Sequence, residues 1–158
     1  MAGSGLAFGR AATAGAHDEA LGGYVVEDQV GFLLRRAHQR HTVLFQDGIG
    51  DADLTPTQFT ALIKVVELGR VTQNHLGRLA AMDPATIQGV VKRLIARGFV
   101  RRAPDPLDRR TAVLAPTQAG VDAIRRTVPC ARAVTEATLQ PLDAEERARL
   151  IALLRKLA

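Results

Sequence analysis

Hydrophobic residues recur along much of the chain at steps of three and four, which is the period of an amphipathic helix. The first such segment begins near Tyr24 and runs to about Asp47, where Gly48 and Gly50 end it. The positions on its repeating face are Val26, Val30, Leu33, Leu34, Ala37, His41, Leu44 and Phe45. We therefore predict one long helix in the first third of the chain.

Two capping signals follow this helix. Thr55-Pro56-Thr57-Gln58 places a threonine at the N-cap, a proline at the first helical position and a glutamine at the third, which is a capping box. This predicts a second helix that ends at Gly69. Thr72 then opens a short third helix, predicted from Gln73 to about Ala81, with Leu76, Leu79 and Ala80 buried.

Asp83-Pro84 opens a fourth helix by the same capping logic, and Gly98 ends it. Its apolar stripe consists of Ile87, Val90, Val91, Leu94 and Ile95. Two helices separated by about two residues form a helix-turn-helix, in which the second helix can be presented to the major groove of DNA.

The segment DPLDRRTAVLAPTQAG, residues 105–120, follows directly. Residues 99–103 read as a strand, 104–110 as a loop stiffened by proline, and 111–115 as a returning strand, which together make a β-hairpin. Thr117 caps a further helix, in which Pro129 is expected to kink or interrupt the chain. Asp143 caps the last helix, with Glu146 at its third position.

Composition narrows the class of protein. The 158 residues, 47% of them hydrophobic, are enough for one sizeable core, and the net charge of +5 favours an anionic partner such as nucleic acid. A single cysteine, Cys130, suits a reducing compartment. No apolar run is long enough to cross a bilayer, and the Gly- and Ala-rich residues 1–23 read as a flexible tail and not as a secretory signal. We expect a cytoplasmic protein with no membrane partner.

The wing segment DPLDRRTAVLAPTQAG resembles that of the MarR (multiple antibiotic resistance regulator) family, in which a D-x-x-D-R-R tip precedes an apolar strand and a T-x-x-G helix start. The LTPTQF segment at residues 54–59 and the order of the elements are also similar to that family. The resemblance implies a homodimeric winged helix-turn-helix transcription factor, usually a repressor, whose first and last helices form the dimer interface.

The expected fold class is mainly α with a small β-hairpin wing, in which N- and C-terminal dimerisation helices flank the winged helix-turn-helix. The expected parts are a tail at 1–23, a first dimerisation helix at 24–50, a DNA-binding lobe at 51–116 and C-terminal dimerisation helices at 117–158. The apolar residues of the C-terminal part exceed what one isolated helix can bury: Leu139, Leu142, Leu150, Ile151, Leu153, Leu154 and Leu157.

Candidate DNA contacts lie on the fourth helix and on the wing. On the helix they are Thr86, Gln88, Gly89, Lys92 and Arg93, with the first two placed for base edges and the last two for phosphates. Gly89 departs from the arginine or other polar residue that is common in the family. In the wing, Arg109 and Arg110 are the minor-groove candidates, and Asp105 and Asp108 support them by accepting hydrogen bonds.

Family members often bind small aromatic acids between the dimerisation helices and the DNA-binding lobe. The candidate effector-binding residues here are His38, Arg40, His41, Phe45, Phe59 and His75, since cations hold a carboxylate and aromatic rings line an apolar pocket. For each of these residues the alternative is a purely structural role at the surface, in the interface or in the core. The segment at residues 73–94 resembles MarR regulators of nicotinate degradation, whose signal is a hydroxylated pyridinecarboxylate.

Alternatives to this reading remain. The spacing of His38 and His41 suits two metal ligands, but the further ligands of a closed site are not evident, so no metal or cofactor is expected. A peroxide sensor needs a reactive thiol on the first helix, whereas Cys130 lies much later. An enzyme is not indicated, because the spacing of the residues suggests neither a nucleophile next to a base nor a pair of carboxylates in a cleft. A winged-helix module for protein interaction is disfavoured by the positive charge of the fourth helix and wing.

Overall fold

The computed structural model describes residues 21–49, 54–105 and 112–158, and within these ranges the chain forms six α-helices and two β-strands. The helices are α1 Val30–Gly48, α2 Pro56–Leu68, α3 Gln73–Leu79, α4 Pro84–Ala96, α5 Gln118–Leu139 and α6 Ala144–Leu157. The strands are β1 Val100–Pro104 and β2 Ala112–Pro116. The expected fold class, mainly α with one β-hairpin, is confirmed.

The chain divides into two units, residues 1–38 and 39–158, with the boundary inside α1. In the first unit, a 3-10 turn at Val26–Asp28 precedes α1, which therefore begins later than the helical period predicted. Gln29 is extended, and its side-chain Nε2 donates to the carbonyl of Val25 at 2.8 Å. A break of one residue does not disturb the hydrophobic period, so the pattern missed it.

The core of the second unit is built from α1, α2, α3, α4, the hairpin and α5. Its fully enclosed side chains include Leu54, Leu62, Val65, Leu76, Ile87, Val90, Val91, Leu94 and Leu114. The buried stripe of α4 is the one that the sequence predicted, although Ile95 is only partly buried. Burial of this stripe holds α4 against α2 and leaves its other side exposed.

The predicted helix caps are present. The Thr55 hydroxyl accepts from Gln58 N at 3.3 Å, and Gln58 Oε1 accepts from Thr55 N at 3.2 Å. The same reciprocal pair joins Asp143 and Glu146 at 2.9 and 3.0 Å. Each pair satisfies helix amides that otherwise lack a partner, which explains why these helices begin where the sequence predicted.

Helix α3 is shorter than predicted, and the set of its residues that is buried differs from the predicted set. It ends at Leu79 because Ala81 adopts a left-handed backbone with φ 51°, which a helix cannot continue through. Leu79 is 41% exposed and was wrongly predicted to be buried. The buried side of α3 is centred on Leu76 and Gly77, since a Cβ on Gly77 would lie 3.2 Å from the Ile87 side chain.

Strands β1 and β2 pair antiparallel, with Val100 opposite Pro116 and Pro104 opposite Ala112. A third element joins this hairpin, since Val71 exchanges backbone hydrogen bonds of 3.0 and 2.8 Å with Leu114. The sequence carried no signal for this bridge, because a single residue has no period. It attaches the hairpin to the chain just before α3.

Helix α5 runs without interruption through Pro129, so of the two effects expected of this proline, a kink or an interruption, the interruption is absent. Proline removes one intrahelical hydrogen bond, but buried residues lie on either side of it, at Thr127 and Val134. Packing on both sides holds the helix together. The C-terminus of α1 approaches α5 closely, since a Cβ on Gly48 would lie 2.9 Å from Val134 Cγ2.

Candidate nucleic-acid interface and effector site

The start of α4 is held by one carboxylate. Asp83 Oδ1 accepts from the backbone N–H groups of Ala85 and Thr86 at 3.0 and 2.9 Å, and the Thr86 hydroxyl donates to Oδ2 at 2.5 Å. These bonds, first of all the one from the Thr86 hydroxyl, lower the pKa of Asp83 below its ordinary value. The first turn of α4 is therefore locked to its cap.

Most of the candidate DNA contacts on α4 lie on its exposed side. The side chains of Thr86, Gln88, Lys92 and Arg93 are exposed, whereas Gly89 is half-buried. The capping bond limits Thr86, since its hydroxyl hydrogen is already used and only its oxygen lone pairs are free for a base. Gln88 keeps both an amide donor and a carbonyl acceptor for a base edge.

Of the four candidate residues in the wing, the structure describes one. Asp105 is described and half-buried, directly after β1. Asp108, Arg109 and Arg110 lie outside the described residues, so their roles stay predictions.

A hydrogen bond between Arg102 and Gln73 joins the hairpin to the helix-turn-helix. Arg102 Nη2 on β1 donates to Gln73 Oε1, at the first position of α3, at 3.3 Å. The two residues are 29 positions apart, and neither belongs to a motif, so sequence reasoning did not find the pair. This hydrogen bond places the side chain of Arg102 next to the N-terminus of α3.

The T-x-x-G signature has a structural explanation at the junction between the hairpin and α5. The Thr117 hydroxyl accepts from Gly120 N at 3.1 Å and donates to the carbonyl of Gly98 at 2.6 Å, and Thr117 N donates to the carbonyl of Phe99 at 3.0 Å. A Cβ on Gly120 would lie 2.1 Å from that Phe99 oxygen. The start of α5 is thereby fastened to the end of α4.

A hydrogen-bonded chain links α1 to α5. His41 Nδ1 lies 2.9 Å from Thr138 Oγ1, and Thr138 Oγ1 donates its hydrogen to the carbonyl of Val134 at 2.8 Å. Because the threonine hydrogen is used, Nδ1–H of His41 is the donor to Thr138. In the neutral ring this arrangement corresponds to the Nδ1–H tautomer and leaves Nε2 as the second functional atom.

Three of the candidate effector residues are in contact. The rings of His41 and Phe45 are 6.2 Å apart, centroid to centroid, and those of Phe45 and Phe59 are 5.6 Å apart. Phe45 is buried, whereas His41 and Phe59 are partly exposed. The structure thus brings residues of α1 and α2 into one aromatic row with an imidazole at its end.

Arg40 and His75 are not part of this row, and His38 belongs to the unit of residues 1–38. Arg40 is exposed, and its Nη2 donates to the carbonyl of Ala137 at 3.5 Å. His38 is exposed on α1, and His75 is exposed in the first turn of α3, where its backbone N–H donates to the Thr72 hydroxyl. In the described part of the chain no ring contact or hydrogen bond joins His75 to the aromatic row.

An open groove of about 290 Å³ lies between α1 and α5. Its lining is mostly apolar and consists of Leu44, Asp47, Gly48, Cys130, Ala133, Val134 and Ala137. Cys130 is partly buried, with Sγ 3.9 Å from the carbonyl of Arg126. The carbonyl of Ala137 accepts from Arg40, so a cation lies at this groove.

Over residues 21–49, 54–105 and 112–158, no three His, Cys, Asp or Glu side chains cluster as metal ligands. None of the helices in those ranges is both long and apolar enough to traverse a bilayer.

A helix-turn-helix followed by a β-hairpin defines the winged helix-turn-helix, a class of DNA-binding fold. The model of the MarR family matches residues 52–111. The transcriptional repressor NicR of Pseudomonas putida is 42% identical over 134 residues, which cover 85% of each chain. The chain belongs to the MarR family of DNA-binding transcriptional regulators.

Two solved structures are also close. A Pseudomonas aeruginosa protein of known crystal structure is 44% identical, with a TM-score of 0.81, and the match covers 85% of this chain and all 100% of that one. BpsR of Bordetella bronchiseptica, whose DNA binding is regulated by 6-hydroxynicotinic acid, is 38% identical with a TM-score of 0.80 over 85% of this chain and 96% of its own.

Proposed function

We propose that this protein is a homodimeric, sequence-specific repressor of a catabolic operon, which a small aromatic carboxylic acid releases from its operator in the cytoplasm. The proposal rests on the arrangement of α4. This helix is capped by Asp83, its apolar stripe is buried, and the side chains of Gln88, Lys92 and Arg93 are exposed. The relative NicR is a transcriptional repressor, which supports repression by this protein. The DNA binding of BpsR is regulated by 6-hydroxynicotinic acid, so a hydroxylated nicotinate is the first effector to test.

Exposed apolar side chains support the homodimer. On α6, Ile151, Leu153 and Leu157 are exposed. In residues 21–38, the exposed set is Leu21, Tyr24, Val25, Val26, Val30, Leu33 and Leu34. Apolar surface of this extent is typical of a surface covered by a partner. The two α4 helices of a dimer would then enter successive major grooves, roughly 34 Å apart, of a palindromic operator.

In the proposed complex, Gln88 and the lone pairs of Thr86 read base edges, Lys92 contacts a phosphate, and Gly89 lies on the same side of α4 and leaves room for a neighbouring side chain. Arg93 contacts DNA from the same side. In the wing, Arg109 and Arg110 enter the minor groove, with Asp105 and Asp108 holding the guanidinium groups outward. Phosphate neutralisation makes affinity fall with salt concentration.

The proposed effector site is the region of α1 and α5 around the His41 to Thr138 hydrogen bond. His41 Nε2 either accepts from a ligand hydroxyl or, as imidazolium, donates to a carboxylate, and Arg40 supplies a second cation. Phe45 and Phe59 provide the apolar wall. His38 and His75 remain secondary candidates, since both are exposed. The acid derepresses if it binds the DNA-incompetent state more tightly than the competent one.

The deciding experiment is titration of the protein with a labelled duplex from the region upstream of its own gene, at two salt concentrations, with and without 6-hydroxynicotinate and related aromatic acids. Tight, salt-sensitive binding that one acid releases is the expected result. The same titration is repeated with zinc and with peroxide, and release by either of these instead would contradict the aromatic effector and favour a metal- or oxidant-responsive regulator. Weak binding without sequence preference would contradict the repressor.

A further inference from the structure

The outermost line of α4 carries almost no side chains. At about 100° per residue, the positions opposite the buried stripe are 85, 89, 92 and 96. Three of them hold only alanine or glycine, namely Ala85, Gly89 and Ala96, and the fourth is Lys92. At these three positions the space above the α4 backbone is therefore left for a neighbouring side chain.

Gly89 is half-buried although it lies on this outward line, while its neighbours Ala85 and Ala96 are exposed. The guanidinium of Arg93, one helical turn further on, lies over this position. A Cβ built on Gly89 would lie 3.7 Å from Nη2 of Arg93 and 3.8 Å from Nη1. Long side chains on helices lean towards the N-terminus, which brings this group back over residue 89.

Both terminal nitrogens of Arg93 therefore lie over the middle of the exposed side of α4, although the residue itself is attached near its C-terminal end. In the described chain, this guanidinium forms no side-chain hydrogen bond or ion pair, so its donors remain available. The side chain is exposed. A planar fork of donors is the group that recognises guanine O6 and N7 together in the major groove.

We propose that Arg93 is a base-reading residue, which selects guanine at one position in each half of the operator. Gly89 makes this possible by leaving open the space that the guanidinium occupies. This inference rests on the proposed insertion of α4 into the major groove. It changes the role that sequence position alone suggests for Arg93, since the last turn of such a helix usually faces phosphates.

The competing role is a phosphate contact, because Arg93 also borders an open groove with Thr55 and Gln58 at the N-terminus of α2. The two roles differ in what they do to sequence preference. Loss of a base contact relaxes preference at one position, whereas loss of a phosphate contact weakens all sequences alike and lowers the salt slope by about one.

The test is selection of duplexes from a random library by the full-length protein, followed by affinity measurements on the selected site and its single-base variants. Arg93→Ala is expected to lose discrimination for guanine at one position per half-site by about 5- to 150-fold. Arg93→Lys should lose most of it, since an ammonium is not a planar fork. Lys92→Ala is the matched control, expected to weaken all sequences together.

A second pair of variants keeps Arg93 and changes the space beneath it. Gly89→Leu should displace the guanidinium and relax preference at the same base, whereas Gly89→Ala, with ordinary contact distances, should retain it. Thermal melts identify any variant that fails to fold. If Arg93→Ala selects the same guanine with undiminished preference, Arg93 is not a base reader. If the wild type selects no sequence at all, the proposed repressor function fails, and this inference fails with it.

Discussion

Gly120 lies against the backbone of Phe99 so closely that a Cβ at position 120 would come within 2.1 Å of the Phe99 carbonyl oxygen. That oxygen also accepts the backbone N–H of Thr117, so the first turn of α5 and the residue before β1 are fastened at one point. The contact explains the glycine of the T-x-x-G signature by close approach.

Gly120→Ala is expected to destabilise the protein by about 3 kcal/mol or more, because rigid backbone and not a flexible side chain occupies the space. Thermal melting at fixed protein concentration measures the loss. Gly89→Ala is the matched control on α4: its Cβ meets only ordinary contacts, and replacing a helical glycine stabilises by about 0.5–1 kcal/mol. Equal effects of the two substitutions would contradict the close approach.

Thr117→Ala is expected to lower the free energy of unfolding by about 0.5–2 kcal/mol, since it removes the cap of α5. The loss should lie towards the upper end, because the same hydroxyl also satisfies the carbonyl of Gly98. Urea denaturation measures it. Thr117→Ser retains the hydroxyl and should behave nearly as the wild type does, and a Ser variant as unstable as the Ala variant would argue against the two hydrogen bonds.

The Asp83 cap should make stability dependent on pH. Its pKa in the folded protein is below the ordinary value, so its contribution is fully present above the unfolded pKa and is lost as pH falls through the folded pKa. Comparison of thermal melts from neutral pH down to the acid range should show the wild type losing this contribution. Asp83→Asn still caps the helix but cannot titrate, so its melts should lack that component of the acid loss. Identical acid profiles would contradict the capping role of the charge.

Arg110→Ala is expected to weaken operator binding without lowering the melting temperature, and to reduce the salt slope by about one if the arginine also neutralises a phosphate. Fluorescence titration with duplex at several salt concentrations measures both quantities. Arg132→Ala, which removes an exposed arginine of α5, is the charge-matched control. Unchanged affinity in the Arg110 variant would remove the wing from the proposed DNA contact.

His41→Phe is expected to retain operator binding but to weaken the response to the effector acid by roughly 10- to 150-fold, the value of a hydrogen bond to a charged group. The phenyl ring preserves the contact with Phe45 and removes both nitrogens. Thr138→Val keeps the shape and removes the acceptor that fixes the tautomer, so it should give a smaller loss of the same kind. A normal response of the His41 variant would place the effector elsewhere.

Several local features were predictable because their causes are local. The caps at Thr55, Asp83, Thr117 and Asp143 depend on residues two or three positions apart, and all were found as predicted. Where the outcome depended on distant packing, prediction was weaker. Leu79 fits the helical period of α3 but faces outward, because the buried side is set by contact with Ile87.

The same division applies to the candidate site. Sequence reasoning identified the outward residues of α4 from the period of its buried stripe, and it named His41 and Phe45 as effector candidates without predicting their contact. It had no means to find Thr138 as the partner of His41 or Ala137 as the partner of Arg40, since each pair is 97 positions apart. Contacts across such distances leave no trace in a periodic pattern.

By itself the sequence determined the helices, their caps, the hairpin and the class of DNA-binding fold, because period, capping and turn residues act within a few positions of one another. The tertiary structure decided which atoms of those elements are already engaged and which remain free. In the folded chain the Thr86 hydroxyl donates to Asp83, and the imidazole of His41 is hydrogen-bonded to Thr138. The guanidinium of Arg93 lies over Gly89. Such assignments depend on directions and distances of side chains that are fixed only when the elements pack together.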